Sequence, residues 1–268
     1  MFDELKKLMA KNISKCTFDT NMYLSEDLFE ESIRNNFAGW YNESELYNHI
    51  DFILKETQIP HGSKVLDVAC GHGRHTELLV KKGYYVKGID ISYTLINYLN
   101  NKYKDKIQFE KVAMEDMRCE SQYDLVMILG NSLSLVPFEN AKRAIINFHR
   151  ALKKSGKIFI EIDNRDYYIN NEAGKREWGF HGDRWLLFSE HLYNESSFCE
   201  ISRDISIDLL EDTTKEHLLV KRLYDLNEIS DIIKSKGFTN IKIYGDWEGT
   251  SIDEKSSKII IIAEKQSQ

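Results

Sequence analysis

Three acids stand where three apolar runs end: Asp67 in Lys64-Val65-Leu66-Asp67-Val68, Asp90 after residues 84–89, and Asp116 after residues 107–112. Past the first lies Ala69-Cys70-Gly71-His72-Gly73, a turn rich in small residues. Gly71 and Gly73 free the backbone and, lacking a Cβ, let a ligand approach the main chain closely. A helix beginning just after them presents unpaired N–H groups, which suit an anionic or strongly polar group. An acid about 20 residues beyond such glycines can accept hydrogen bonds from both hydroxyls of a ribose. Together these residues describe a site for a nucleotide cofactor. The dinucleotide fingerprint asks for a third small residue three positions after the second glycine. That position is Thr76, so the full pattern fails.

The elements that would position these groups can be read from periodicity. Val65, Leu66 and Val68 read as a strand buried on both faces. A helix follows and stops at Gly83, and Ser92 and Asn227 are placed to cap later helices. Residues 123–129 and 157–162 give a fourth and a fifth strand, with the apolar helical face Ala141, Ala144, Ile145, Phe148 and Leu152 between them. Successive strand–helix crossovers predict a doubly wound α/β fold with a Rossmann-like, largely parallel sheet. Residues 199–209 then alternate apolar and polar with a period of two, flanked by strands at 184–193 and 216–224. This predicts an inserted antiparallel meander with one wet and one packed face. Residues 238–244 and 258–264 close a seven-stranded sheet as a hairpin, the last strand antiparallel. Divided accordingly, the chain has an N-terminal helical lid (1–59), a cofactor-binding core (60–162), a substrate-covering meander (163–226) and a completion of the core sheet (227–268).

The 268 residues suffice for one decorated α/β unit, and the net charge of −7, without a basic run, argues against a nucleic-acid partner. The cysteines at 16, 70, 119 and 199 have neither metal-ligand nor disulfide spacing, so no metal is expected. Such cysteine usage suits a reducing cytoplasm. No apolar run reaches the roughly 18 residues of a membrane span.

With Asp67, Ala69, Gly71 and Gly73 at the spacing acid-x-small-x-Gly-x-Gly, the chain resembles the class I S-adenosylmethionine (SAM)-dependent methyltransferases of small molecules. Gly130-Asn131-Ser132 with Pro137, and Ile162-Asp163-Asn164-Arg165-Asp166-Tyr167, are similar to segments of glycine N-methyltransferases. Arg222-x-Tyr224 and Tyr244-Gly245-Asp246-Trp247-Glu248-Gly249 are similar to motifs of related bacterial methyltransferases. The resemblance implies that Asp67, Ala69, Gly71, Gly73, Asp90, Ile91, Asp116, Met117 and Leu129 hold SAM, with Trp40 and Tyr41 walling it from the lid. It implies that Asn131, Arg165 and Tyr224 are catalytic and, with Arg222, face the acceptor. Apart from the resemblance, His181, beside Trp178, is a candidate general base, and both are read as acceptor-side residues. A small-molecule acceptor methylated at an amine nitrogen is the leading expectation, with a homodimer as one option. O-methylation, a nicotinamide-dependent oxidoreductase and a non-catalytic SAM-binding scaffold are the alternatives.

Overall fold

The computed structural model describes residues 42–104 and 106–266. Helix α1 (Glu43–Thr57) leads into β1 (Lys64–Val68), α2 (Arg74–Lys81), β2 (Tyr85–Asp90), α3 (Tyr93–Tyr103), β3 (Gln108–Lys111) and β4 (Tyr123–Ile128). Helix α4 (Phe138–Ala151), β5 (Leu152–Asp163) and a short α5 (Arg165–Asn171) follow. Next come β6 (Arg176–His181), β7 (Trp185–Asn194), β8 (Cys199–Asp208) and β9 (Thr213–Arg222). Helix α6 (Leu226–Ser235), β10 (Phe238–Tyr244) and β11 (Lys258–Lys265) complete the chain.

The main sheet has seven strands in the order β10-β11-β5-β4-β1-β2-β3. Strand β11 runs antiparallel to both β10 and β5, while β5, β4, β1, β2 and β3 pair in parallel. Apolar residues fill both faces because both are covered. Leu66, Val68, Val126 and Ile128 pack with Phe148 of α4 and Ile229 and Ile233 of α6. On the other face Val65, Leu125, Met127 and Phe159 pack with Ile50 and Ile53 of α1 and Leu79 of α2. Each such side chain contributes about 1.5–3 kcal/mol by leaving water.

Helix α1 is thus a core helix, although the sequence assigns its residues to a lid. Its N-cap is Asn42, whose side chain accepts the Ser44 N–H at 3.0 Å. Trp40, Tyr41 and the rest of residues 1–41 lie outside the described residues. Ser92 caps α3 as expected, accepting from Leu95 N–H. The cap of α6 is Asp225 rather than Asn227: the Asp225 carboxylate accepts the Glu228 N–H at 2.8 Å.

The inserted sheet has four antiparallel strands, β6-β7-β8-β9, one more than the periodicity shows. Gly179 interrupts the apolar pair Trp178 and Phe180, which hides β6 in the sequence. The two faces are also reversed along β8. Glu200, Ser202, Ser206 and Asp208 are buried, whereas Ile201, Ile205 and Ile207 are half-buried. Two of these buried groups have ionic partners, Asp208 with Arg184 and Glu200 with Lys221, whereas the Ser206 hydroxyl has no hydrogen-bond partner among the described residues. Among the described residues no helix is long and apolar enough to cross a membrane.

Candidate active site

Beyond β1 the chain takes left-handed φ values of 53° at Ala69, 54° at Gly71 and 70° at Gly73. The two glycines do different jobs. Among the described residues a Cβ on Gly71 would meet nothing within 4 Å, so this residue is unobstructed by them above the strand ends. A Cβ on Gly73 would stand 3.0 Å from Leu99 and 3.3 Å from the Phe109 ring. Gly73 therefore lets α2 seat against Leu99 of α3 and Phe109 of β3, a packing role that its place in the motif does not show.

Asp67 also departs from its expected place on the rim. It is only 3 % exposed, and the Thr76 hydroxyl donates to its carboxylate at 2.5 Å. Burial pushes its pKa up to about 7 against the opposing pull of that hydrogen bond. The threonine that breaks the dinucleotide pattern is the residue that fastens β1 to α2.

Asp90 stands at the tip of β2 with both oxygens engaged. One accepts the Gly71 N–H and the other the Ser92 N–H, each at 2.9 Å. Ile91 and Asp116 are exposed at neighbouring strand ends. Met117 and Leu129 are not: both side chains are buried in the core, Met117 with Met114 and Val126, Leu129 with Met127 and Phe159. They support the rim from beneath instead of offering it a face.

Beyond β4, Gly130 and Asn131 both have φ of 62°. Two carboxylates on β5 hold this bend. Glu161 accepts the Gly130 N–H at 2.6 Å, and Asp163 accepts from the Asn131 side-chain amide. The Asn131 oxygen in turn accepts the Asp163 N–H at 3.0 Å and the Ser134 hydroxyl at 2.7 Å. Its amide oxygen is thereby spent within the loop, which makes Asn131 a residue that shapes the bend rather than one turned toward an acceptor.

Around these carboxylates lies a charge network that sequence reasoning missed. Lys258 reaches Asp163 at 2.7 Å and Glu161 at 3.3 Å. Lys221 reaches Glu200 at 2.6 Å and Asp163 at 3.5 Å, and His191 stands 3.2 Å from Glu200. Burial pushes the Asp163 pKa up, but the Lys258 and Lys221 ammonium groups outweigh it and hold the carboxyl below the usual carboxylate range. The available signal was Glu161, an acid inside the apolar run Ile158-Phe159-Ile160-Glu161-Ile162. Nearby, His49 stacks on Trp247 with ring centroids 3.9 Å apart, and its Nδ1 is 3.3 Å from His75 Nε2. Burial lowers both histidine pKa values, that of His75 to about 3.

Arg165, Arg222 and Tyr224 do come together, but around protein acids. Arg165 pairs with Asp225 and lies 3.5 Å from Glu228, its guanidinium 4.7 Å from the centre of the Phe198 ring. Arg222 grips Glu228 in two hydrogen bonds, 2.5 and 3.0 Å, and stacks over Phe138. Tyr224 is fully buried, and its hydroxyl has no hydrogen-bond partner among the described residues. Half-buried guanidinium groups need anionic partners, and Asp225 and Glu228 supply them here. Trp178 and His181 do not join this cluster. They lie on β6, the outer strand of the inserted sheet, about 14 Å from β9 across three strand spacings. Trp178 is 68 % exposed.

The rim fits an adenosyl group. The open space at Gly71, the carboxylate of Asp90 beside it, and the exposed Ile91 and Asp116 are the polar and apolar surfaces such a group would use. A family model described as a methyltransferase domain matches residues 65–156. A ubiquinone biosynthesis O-methyltransferase of Coxiella burnetii is 31 % identical over 212 residues, covering 68 % of this chain and 90 % of that protein. A glycine/sarcosine N-methyltransferase of Aphanothece halophytica is 24 % identical over 225 residues, covering 80 % of this chain and 81 % of that one. The crystal structure of a SAM-dependent methyltransferase from Clostridium acetobutylicum superposes with a TM-score of 0.75 at 17 % identity, covering 88 % of this chain and 100 % of that chain. The antiparallel β11 between β10 and β5, with these matches, sets the nicotinamide alternative aside. The chain belongs to the class I SAM-dependent methyltransferases, and SAM is its cofactor.

Proposed function

We propose that this enzyme methylates an amine nitrogen of a polar small molecule. The observation that carries the reading is the charge network beside Asn131. Among the described residues it sets three carboxylates, Glu161, Asp163 and Glu200, against two ammonium groups, Lys221 and Lys258. The surplus of negative charge favours an acceptor that donates hydrogen bonds, as a neutral amine does.

Bound on the rim, SAM supplies a sulfonium methyl already activated for transfer. Asp90 and the Gly71 backbone would hold its ribose side, with Ile91 and Asp116 toward the base. The bend at Gly130–Asn131 would set the line of approach for the acceptor, and residues 163–226 would cover it. A neutral amine needs alignment more than a base, and alignment can supply about 7–11 kcal/mol. A hydroxyl acceptor asks instead for a general base titrating near pH 7. Asp163, held anionic by its lysines, is a poor one. Asp67 titrates at about 7 but is sealed under the turn by Thr76. The second reading, O-methylation, draws on the name of the Coxiella relative.

A screen of matched amines and alcohols, reading release of the demethylated product S-adenosylhomocysteine (SAH), tests the choice. Release with amines alone is expected. Release with alcohols alone overturns it.

A further inference from the structure

Lys221 is the last but one residue of β9, at the point where the inserted sheet rejoins the core. There the Arg165 N–H donates to the Tyr224 carbonyl at 3.0 Å, and Asn164 bridges to Tyr224. The two carboxylates that Lys221 touches belong to different sheets. Glu200 lies on β8 of the insert and is 1 % exposed, while Asp163 closes β5 of the main sheet. The Asp163 oxygen facing Lys221 is the one that also takes the Asn131 amide. A single ammonium group therefore stands between the cover and the bend.

We propose that Lys221 is a positioning residue for methyl transfer, acting through Asp163 on Asn131. Its charge holds the Asp163 carboxylate in the orientation that fixes the left-handed pair Gly130–Asn131. Its ion pair with Glu200 makes that orientation depend on where the inserted sheet sits. A shift of the sheet over an acceptor is then felt at the bend, and an ill-seated sheet leaves the bend loose. Lys258 cannot supply this coupling, because it sits on β11 and both its carboxylates, Glu161 and Asp163, lie on β5. The proposal rests on the reading of Gly130–Asn131 as the loop beside the transferred methyl.

Hydrogen exchange of residues 129–136, with SAH titrated by calorimetry, tests it on the full chain. In Lys221→Met, exchange across 129–136 should quicken about threefold, the expected worth of a long, part-buried ion pair such as the 3.5 Å contact to Asp163. SAH affinity should fall by a similar factor. Lys221→Arg should restore both, and Asp163→Asn should reproduce the Lys221→Met behaviour. Exchange that quickens only in β8 and β9 of Lys221→Met, with 129–136 and SAH affinity unchanged, would overturn the coupling. Should Lys221→Met not fold, Asp163→Asn decides alone by the same two readings. Failure of the unmodified chain to bind SAH would instead strike the cofactor-loop reading, and ligand-free exchange still reports on the coupling.

Discussion

The Asp90 carboxylate accepts the Gly71 N–H at 2.9 Å, so the acid assigned to the ribose also holds the glycine turn in shape. Its second oxygen does the same for Ser92, the cap of α3. Asp90→Ala removes both and strands two amides in a buried place. SAM affinity measured by calorimetry should fall at least about 100-fold, or ~2.7 kcal/mol. Unchanged affinity would separate this acid from the cofactor.

Ala69 holds a φ of 53°, where a Cβ costs about 1 kcal/mol. The penalty comes from the left-handed conformation rather than from side-chain size. Ala69→Gly should raise stability by about 1 kcal/mol in urea titration, with SAM affinity retained.

Asp67 and His75 oppose each other as pH changes. Burial raises the Asp67 pKa from 3.8 to about 7, so the folded state binds the extra proton and stability falls as pH climbs between those values. Burial lowers that of His75 from 6.5 to about 3, so stability falls as pH drops through that range. Each can contribute up to about 4 kcal/mol, and across pH 4–6.5 they largely cancel. Denaturation against pH should show Asp67→Asn losing stability toward acid and His75→Gln losing it toward neutral pH. Parallel profiles in the two variants would contradict the assignment.

Arg165 is held by Asp225 and Glu228. Arg165→Ala should cost about 1–3 kcal/mol of stability by leaving the half-buried Asp225 without its cation, Glu228 keeping its pair with Arg222, with SAM affinity within twofold of the unmodified chain. If acceptor turnover falls while melting is unchanged, the arginine serves a substrate carboxylate after all.

The parallel core of the main sheet, its antiparallel last strand and the glycine turn between β1 and α2 were legible because each rests on a local signal: an apolar run, a closing hairpin, a cluster of small residues. The side-chain roles that failed depend on which partner is nearest in space. Thr76 lies nine residues from Asp67, and Asp225 lies 60 residues from Arg165, so no spacing rule links either pair. Glycine freedom was read at Gly73, but only the packing of Leu99 and Phe109 explains why it is needed there. Strand β6 was hidden by Gly179, and the inward polar face of β8 contradicts the usual alternation because its carboxylates find partners across the sheet.

The most direct test is a crystal structure of the enzyme with SAH. The account predicts the ribose hydroxyls within about 2.6–3.2 Å of the Asp90 carboxylate, the adenosyl group passing over Gly71, and the sulfur turned toward the Gly130–Asn131 bend. Density for the nucleoside away from Asp90, or a sulfur remote from that bend, would contradict it.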